Sequence, residues 1–189
     1  MSRPFLGIDC ATRYLSLALW DEGRGELASF AEDVGRGHAA RIVTELDALF
    51  ARAGVPRGGL AGVGVGIGPG SYTGVRVAVS TARGLGRAWG VPVAGASTLA
   101  AVAAAALAPG ETGAAVLDAR RGNVYAALYR RPADPADLRM ETLAPPAKLP
   151  RDALAARFGP VRVVEDAPPL AAAVAAAARE GARAEPVYL

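Results

Sequence analysis

One cysteine, one histidine and one lysine stand in 189 residues, and each scarcity removes a class of function. The lone Cys10 cannot close an intrachain disulfide, and with His38 as the only imidazole there is no zinc cluster of the usual Cys/His kind. Lys148 lies far from any glycine-rich loop. A P-loop is thereby excluded, because its lysine must follow its glycines to reach the β- and γ-phosphates, and Schiff-base chemistry has no better candidate. Met1 to Cys10 lacks the segments of a signal peptide, and no apolar run reaches the roughly 18 residues of a membrane span. A cytoplasmic protein with no membrane association is expected. Aromatic residues make up only 6% of the chain against 52% hydrophobic, much of it alanine, so helices with small side chains are expected to pack closely. The net charge is +3, with arginines interspersed among acids. That pattern reads as a solvated surface, with nucleic acid nearby as the alternative.

What is present divides into two parts. FLGIDC (5–10) and YLSLALW (14–20) read as a hairpin, since Leu15, Leu17 and Leu19 alternate with Ser16, Ala18 and Trp20 at the strand period. DEGRG then turns the chain into a third strand near 26–33. From His38 to Ala53, Ile42, Leu46, Leu49 and Phe50 recur at helical steps, and Gly54 closes the segment. Val63, Val65 and Ile67 alternate with glycines, which lets another backbone or a helix approach one face of that strand. A loop, 68–74, leads into a helix over 73–88, and VPVAG (91–95) returns as a strand. A first lobe of β-β-β-α-β-α-β order is expected over 1–96, with a second, reduced lobe over 97–189. The second lobe begins with an alanine-rich helix (97–108) and strands near 114–118 and 124–130. Proline-rich 132–150 reads as an extended loop, followed by short helices and the end PVYL.

Three places carry candidate chemistry. Gly68, Gly70, Ser71, Thr73 and Gly74 sit between a buried strand and a helix start, where amides and hydroxyls form an anion-binding geometry. The other reading is a Ser71 or Thr73 N-cap on a glycine turn. Asp9, with Thr12 beyond it, and Asp118 each end a strand; facing one cleft, such carboxylates hold a nucleotide's magnesium or a water. Turn capping explains them equally. His38 is a candidate general base or a residue of the helix start and interface.

IDCAT near the start, GIGPGSYTGVRVAVSTARGLG in the middle, DARRGNVYAALY later and PVYL at the end resemble the bacterial TsaB (YeaZ) family, with Cys10 where threonine is usual and Tyr72 where phenylalanine is common. The resemblance implies an α/β, two-lobed fold of the actin-like (ASKHA, ribonuclease H-like) kind. It implies a non-catalytic scaffold or activating subunit that pairs with a TsaD-like transferase for threonylcarbamoylation of the tRNA adenosine beside the anticodon. No metal and no cofactor of its own are implied, ATP being used by the complex through a TsaE-like ATPase; tRNA is reached through the complex, and the chain in isolation is a homodimer. The family's pairing surface lies on the helices that correspond to 38–53 and 73–88, which makes His38, Ile42, Leu46, Arg76, Ala78, Ala82 and Arg83 the interface candidates. The rival from another class is a stand-alone actin-like ATP-binding phosphotransferase using Asp9, Asp118 and the 68–74 loop; a third, a metallopeptidase, is undercut by the missing zinc ligands.

Overall fold

A computed structural model describes residues 3–179. Strands β1 (Phe5–Asp9), β2 (Tyr14–Asp21) and β3 (Gly25–Asp33) form an antiparallel meander, followed by α1 (His38–Ala53), β4 (Gly62–Gly66), α2 (Tyr72–Trp89) and β5 (Val93–Ala96). These strands make one sheet in the order β3-β2-β1-β4-β5, with β1, β4 and β5 parallel. This is the β-β-β-α-β-α-β order read from the residue pattern. The chain continues through α3 (Thr98–Ala106), β6 (Thr112–Asp118), β7 (Asn123–Arg130), β8 (Glu141–Pro150), a 3₁₀ turn at Arg151–Ala153, α4 (Leu154–Phe158), β9 (Arg162–Glu165) and α5 (Ala171–Ala177). Its strands form a second sheet, β8-β7-β6-β9.

The period-two pattern builds two unlike faces on the first sheet. Leu6 and Ile8, Leu15, Leu17 and Leu19, and Val63 and Val65 share one face, where α1 and α2 cover them with Ile42, Leu46, Leu49, Phe50, Val75, Ala78, Val79 and Ala82. Gly7 and Gly64 lie on the other. A Cβ at Gly7 would overlap the Ala171 carbonyl, and one at Gly64 the Val174 carbonyl, so the backbone of α5 rests directly on the sheet. Its alanines complete the contact with Ala18 and Trp20. A seven-residue helix is too short to persist alone in water, so this docking is what holds it. The strands of the first sheet lie within residues 5–96 and those of the second within 112–165, whereas α5 returns to pack on the first sheet.

Helix ends follow local chemistry. Gly54 (φ 62°) and Gly90 (φ 64°) terminate α1 and α2 in the left-handed conformation that glycine adopts without a Cβ penalty. The second half departs from expectation. Residues 132–150 are not all loop: 141–150 form β8 despite Pro145, Pro146 and Pro150. As the outer strand of its sheet β8 has one side without a neighbour, where a missing N–H removes no ladder bond. Beyond it the strand β9 stands between two short helices, α4 and α5, where only short helices were expected. PVYL lies outside the described residues.

Candidate functional site

Asp9 ends β1 fully buried. Its Oδ1 accepts the Ala11 amide (2.8 Å) and its Oδ2 the Thr98 hydroxyl (2.8 Å), tying the β1–β2 turn to the start of α3. Gly66 backs the carboxylate so closely that a Cβ there would overlap Oδ2. Burial pushes the Asp9 pKa up to about 6 against the opposing pull of the Ala11 amide and the Thr98 hydroxyl. Burial, and then the Asp9 charge, also raise the thiol of Cys10 far above its ordinary range, so that side chain is an inert part of the core.

The 68–74 loop packs onto this turn. The Ser71 amide donates to the Ala11 carbonyl (2.7 Å), and Cβ atoms at Gly70 and Gly74 would overlap the carbonyls of Ala11 and Cys10. The two glycines thus serve close backbone approach. The Ser71 hydroxyl accepts the Gly74 amide (3.2 Å) as the N-cap of α2, so the helix starts at Tyr72, one residue before the expected position. Gly68 is buried and its carbonyl accepts the Thr98 amide (2.9 Å), which fastens the loop to α3.

Between the two sheets these segments border a cleft of about 630 Å³. Thr12, Gly70, Ser71, Thr73 and Asp118 line it together; Asp9, Gly68 and Gly74 do not. Asp118 Oδ1 turns back to accept the Arg120 amide (2.9 Å), the turn-capping arrangement. The expectation of two strand-end carboxylates facing one cleft is therefore corrected: strand alternation puts Asp9 on the glycine face, behind the cleft wall. The residues present do not fit the expected magnesium-nucleotide site, since both Asp9 oxygens are already bonded and Asp118 Oδ1 is engaged by the Arg120 amide. Among the described residues, no three His, Cys, Asp or Glu side chains gather as metal ligands. Arg13, Tyr14, Arg36, Arg120, Tyr125 and Asp166 also line the cleft and were not singled out as site residues from sequence. The flanking glycines of Arg36 and the turn ARRGN were the only local signals.

The interface candidates divide as well. Ile42, Leu46, Ala78 and Ala82 are buried in the core of their own sheet. The helical stripe they form faces β1, β2 and β4. His38 is buried too, and its Nε2 donates to the Tyr14 carbonyl (3.1 Å), fastening the start of α1 to β2. Arg76 and Arg83 are exposed on the outer side of α2, where Arg76 donates to the Tyr72 hydroxyl (2.6 Å). On α1 the outward residue is Val43, 64% exposed.

Comparison with known proteins follows this geometry. Residues 31–151 match the family profile described as TsaD: tRNA N6-adenosine threonylcarbamoyltransferase. The tRNA threonylcarbamoyladenosine biosynthesis protein TsaB of Escherichia coli K12 is 37% identical over 130 residues, 67% of this chain and 54% of that protein. Its counterpart of the same name in Bacillus subtilis 168 is 31% identical over 125 residues, covering 66% and 54%. The chain thus spans about half the length of the curated relatives it matches. The solved structure of YeaZ from Pseudomonas aeruginosa superposes over all of both chains with a TM-score of 0.83 at 29% identity. Among the described residues, no helix is long and apolar enough to cross a membrane. With its meander, its two sheets and the helices between them, the chain has the actin-like α/β fold and belongs to the TsaB (YeaZ) family of tRNA threonylcarbamoyladenosine biosynthesis proteins.

Proposed function

We propose that this chain is the non-catalytic member of a pair with a TsaD-like transferase, in a cytoplasmic complex that modifies the tRNA adenosine beside the anticodon. The observation that carries the reading is the closed environment of Asp9. A carboxylate with both oxygens bonded and a glycine against it is a structural tie between the first sheet and the start of α3. His38 is likewise engaged in a bond to β2, and Lys148 sits exposed on the outer strand β8. None of these groups is poised as base or nucleophile. In this reading a TsaE-like ATPase joins the pair and supplies ATP hydrolysis, the chain itself needs no cofactor, and in isolation it self-associates through the same surface.

The pairing surface proposed is the outer side of α1 and α2, centred on Val43, Arg76, Val77 and Arg83. Val77 is half-buried beside the exposed arginines, and Val43 has the largest fractional exposure among the exposed large hydrophobics. Because Val43 projects outward, Val43→Glu is expected to leave the fold intact while placing an unpaired charge at the centre of the contact, which costs several kcal/mol when desolvated. Capture of a purified TsaD-like protein by wild-type chain, and at least tenfold weaker capture by Val43→Glu, is the expected result. Equal capture by the two, with unchanged circular dichroism, places the pairing surface elsewhere. Ala78→Glu is no such test, since it buries a charge in the core and unfolds the sheet.

A further inference from the structure

Nine guanidinium groups among the described residues pair with carboxylates. Arg41 bridges Glu32 and Glu45, Arg57 pairs with Asp47, Arg151 with Glu165 and Arg162 with Glu111. The cleft differs. Arg13 is tied to Asp33 (2.8 Å), but Arg36, from the β3–α1 loop, and Arg120, from the β6–β7 turn, are exposed there, and their guanidinium groups have no partner among the described residues. One comes from each sheet. Arg120 and Arg121 hold φ angles of 64° and 54°, a left-handed conformation that residues with a Cβ rarely adopt. That strained turn sets Arg120 on the cleft rim. Three of the five tyrosines, Tyr14, Tyr72 and Tyr125, line the same walls, so a protein poor in aromatics gathers them at one place.

We propose that this cleft holds a short single-stranded RNA segment, with Arg36 and Arg120 on its phosphodiesters and Tyr14 and Tyr125 against its bases. Cationic groups along a groove interleaved with aromatic faces are the physical recipe for binding single strands, and a space of about 630 Å³ suits one or two nucleotides. A strand fits better than a free nucleoside triphosphate. A triphosphate concentrates its charge at one point, needs a magnesium ligand that the buried Asp9 cannot be, and meets the carboxylates of Asp118 and Asp166 on the cleft wall. Phosphodiesters carry one charge each, matching single arginines from two different loops, while Asp118 and Thr12 also line the cleft and offer oxygens to a 2′-hydroxyl. The choice of RNA rests on membership of a tRNA-modifying family, not on pairing with a TsaD-like protein.

The test is fluorescence anisotropy of a labelled six-nucleotide single-stranded RNA, titrated with this chain alone at several salt concentrations. Arg36→Gln combined with Arg120→Asn, the asparagine tolerating the left-handed backbone, is expected to weaken binding at least tenfold and to lower the salt slope by about 1.4, the contribution of two phosphates on a single strand. Tyr125→Leu, which keeps an apolar body against the second core, is expected to weaken it about fivefold or more. Arg52→Gln combined with Arg87→Gln removes the same charge outside the cleft and is expected to change affinity less than twofold. Equal loss in the cleft and control pairs, absence of RNA binding by the wild type, or tighter binding of magnesium-ATP that is lost in the cleft pair would each overturn the proposal. Capture of the TsaD-like protein by the same variants reads the pairing proposal separately.

Discussion

Gly64→Ala is expected to destabilise the protein by at least about 3 kcal/mol, roughly 10 °C in Tm for a domain of this size. The added methyl would overlap the Val174 carbonyl and crowd the Ala175 Cα, both backbone atoms that cannot rotate away. Sheet and helix must therefore separate, and α5, held by alanines that individually bury little area, has few other contacts to offset the loss. Gly84→Ala, on the exposed side of α2 with open space around it, is the matched comparison. There the methyl meets nothing and only the flexibility of the unfolded chain is reduced, so a gain of about 0.5–1 kcal/mol is expected. Thermal unfolding of the two variants beside the wild type checks both signs. A Gly64→Ala protein as stable as the wild type would mean that α5 does not rest on the glycine face.

The second large effect concerns Asp9 and pH. With its pKa at about 6 in the folded protein against 3.8 for an ordinary aspartate, the folded state holds a proton between these values that the unfolded state has released. The stability contributed is fully present below about pH 4 and is lost as pH rises through about 6, a change on the order of 3 kcal/mol. Half-buried carboxylates such as Glu111 and Asp137, which arginines and amides hold below their usual range, act in the opposite direction. The comparison is therefore between the wild type and Asp9→Asn at each pH. The amide accepts from Ala11 and donates to the Thr98 oxygen without a buried charge, so its stability relative to wild type is expected to rise between pH 4 and 6. Asp9→Ala, which leaves the Thr98 hydroxyl and the Ala11 amide unpaired, is expected to lose about 2 kcal/mol relative to Asp9→Asn across the range. Chemical denaturation at pH 4, 5, 6 and 7 measures all three proteins. A constant difference between wild type and Asp9→Asn would show that the carboxylate is solvated.

The first sheet was legible because its signals are local. Valine–glycine alternation, the DEGRG turn and the glycine after Ala53 each act within a few residues, and the strands and helices followed them closely. The direction of Asp9 was legible in principle. Two residues after Gly7, it shares the face that β4 lines with glycine, so it points toward a packed backbone and away from the cleft. The burial of Ala78 and Ala82 has a related reason: apolar side chains at helical spacing mark the side of a helix that packs first on its own sheet, and both belong to that side. Val43, by contrast, is apolar yet outward. The strand β8 was hidden by its prolines, whose meaning depends on lying at a sheet edge. The cleft was hidden by distance along the chain, since only the fold brings Arg36 opposite Arg120 and Tyr125.

The most direct measurement of the central claim is reconstituted threonylcarbamoylation of tRNA from purified components. This chain alone is expected to leave the tRNA unmodified, the TsaD-like transferase with its TsaE-like ATPase and the threonylcarbamoyl-adenylate donor is expected to turn over only when this chain is added, and Val43→Glu is expected not to restore that turnover. Modification of tRNA by this chain without a partner, or full activity of the other components in its absence, would contradict the assignment of a non-catalytic partner subunit.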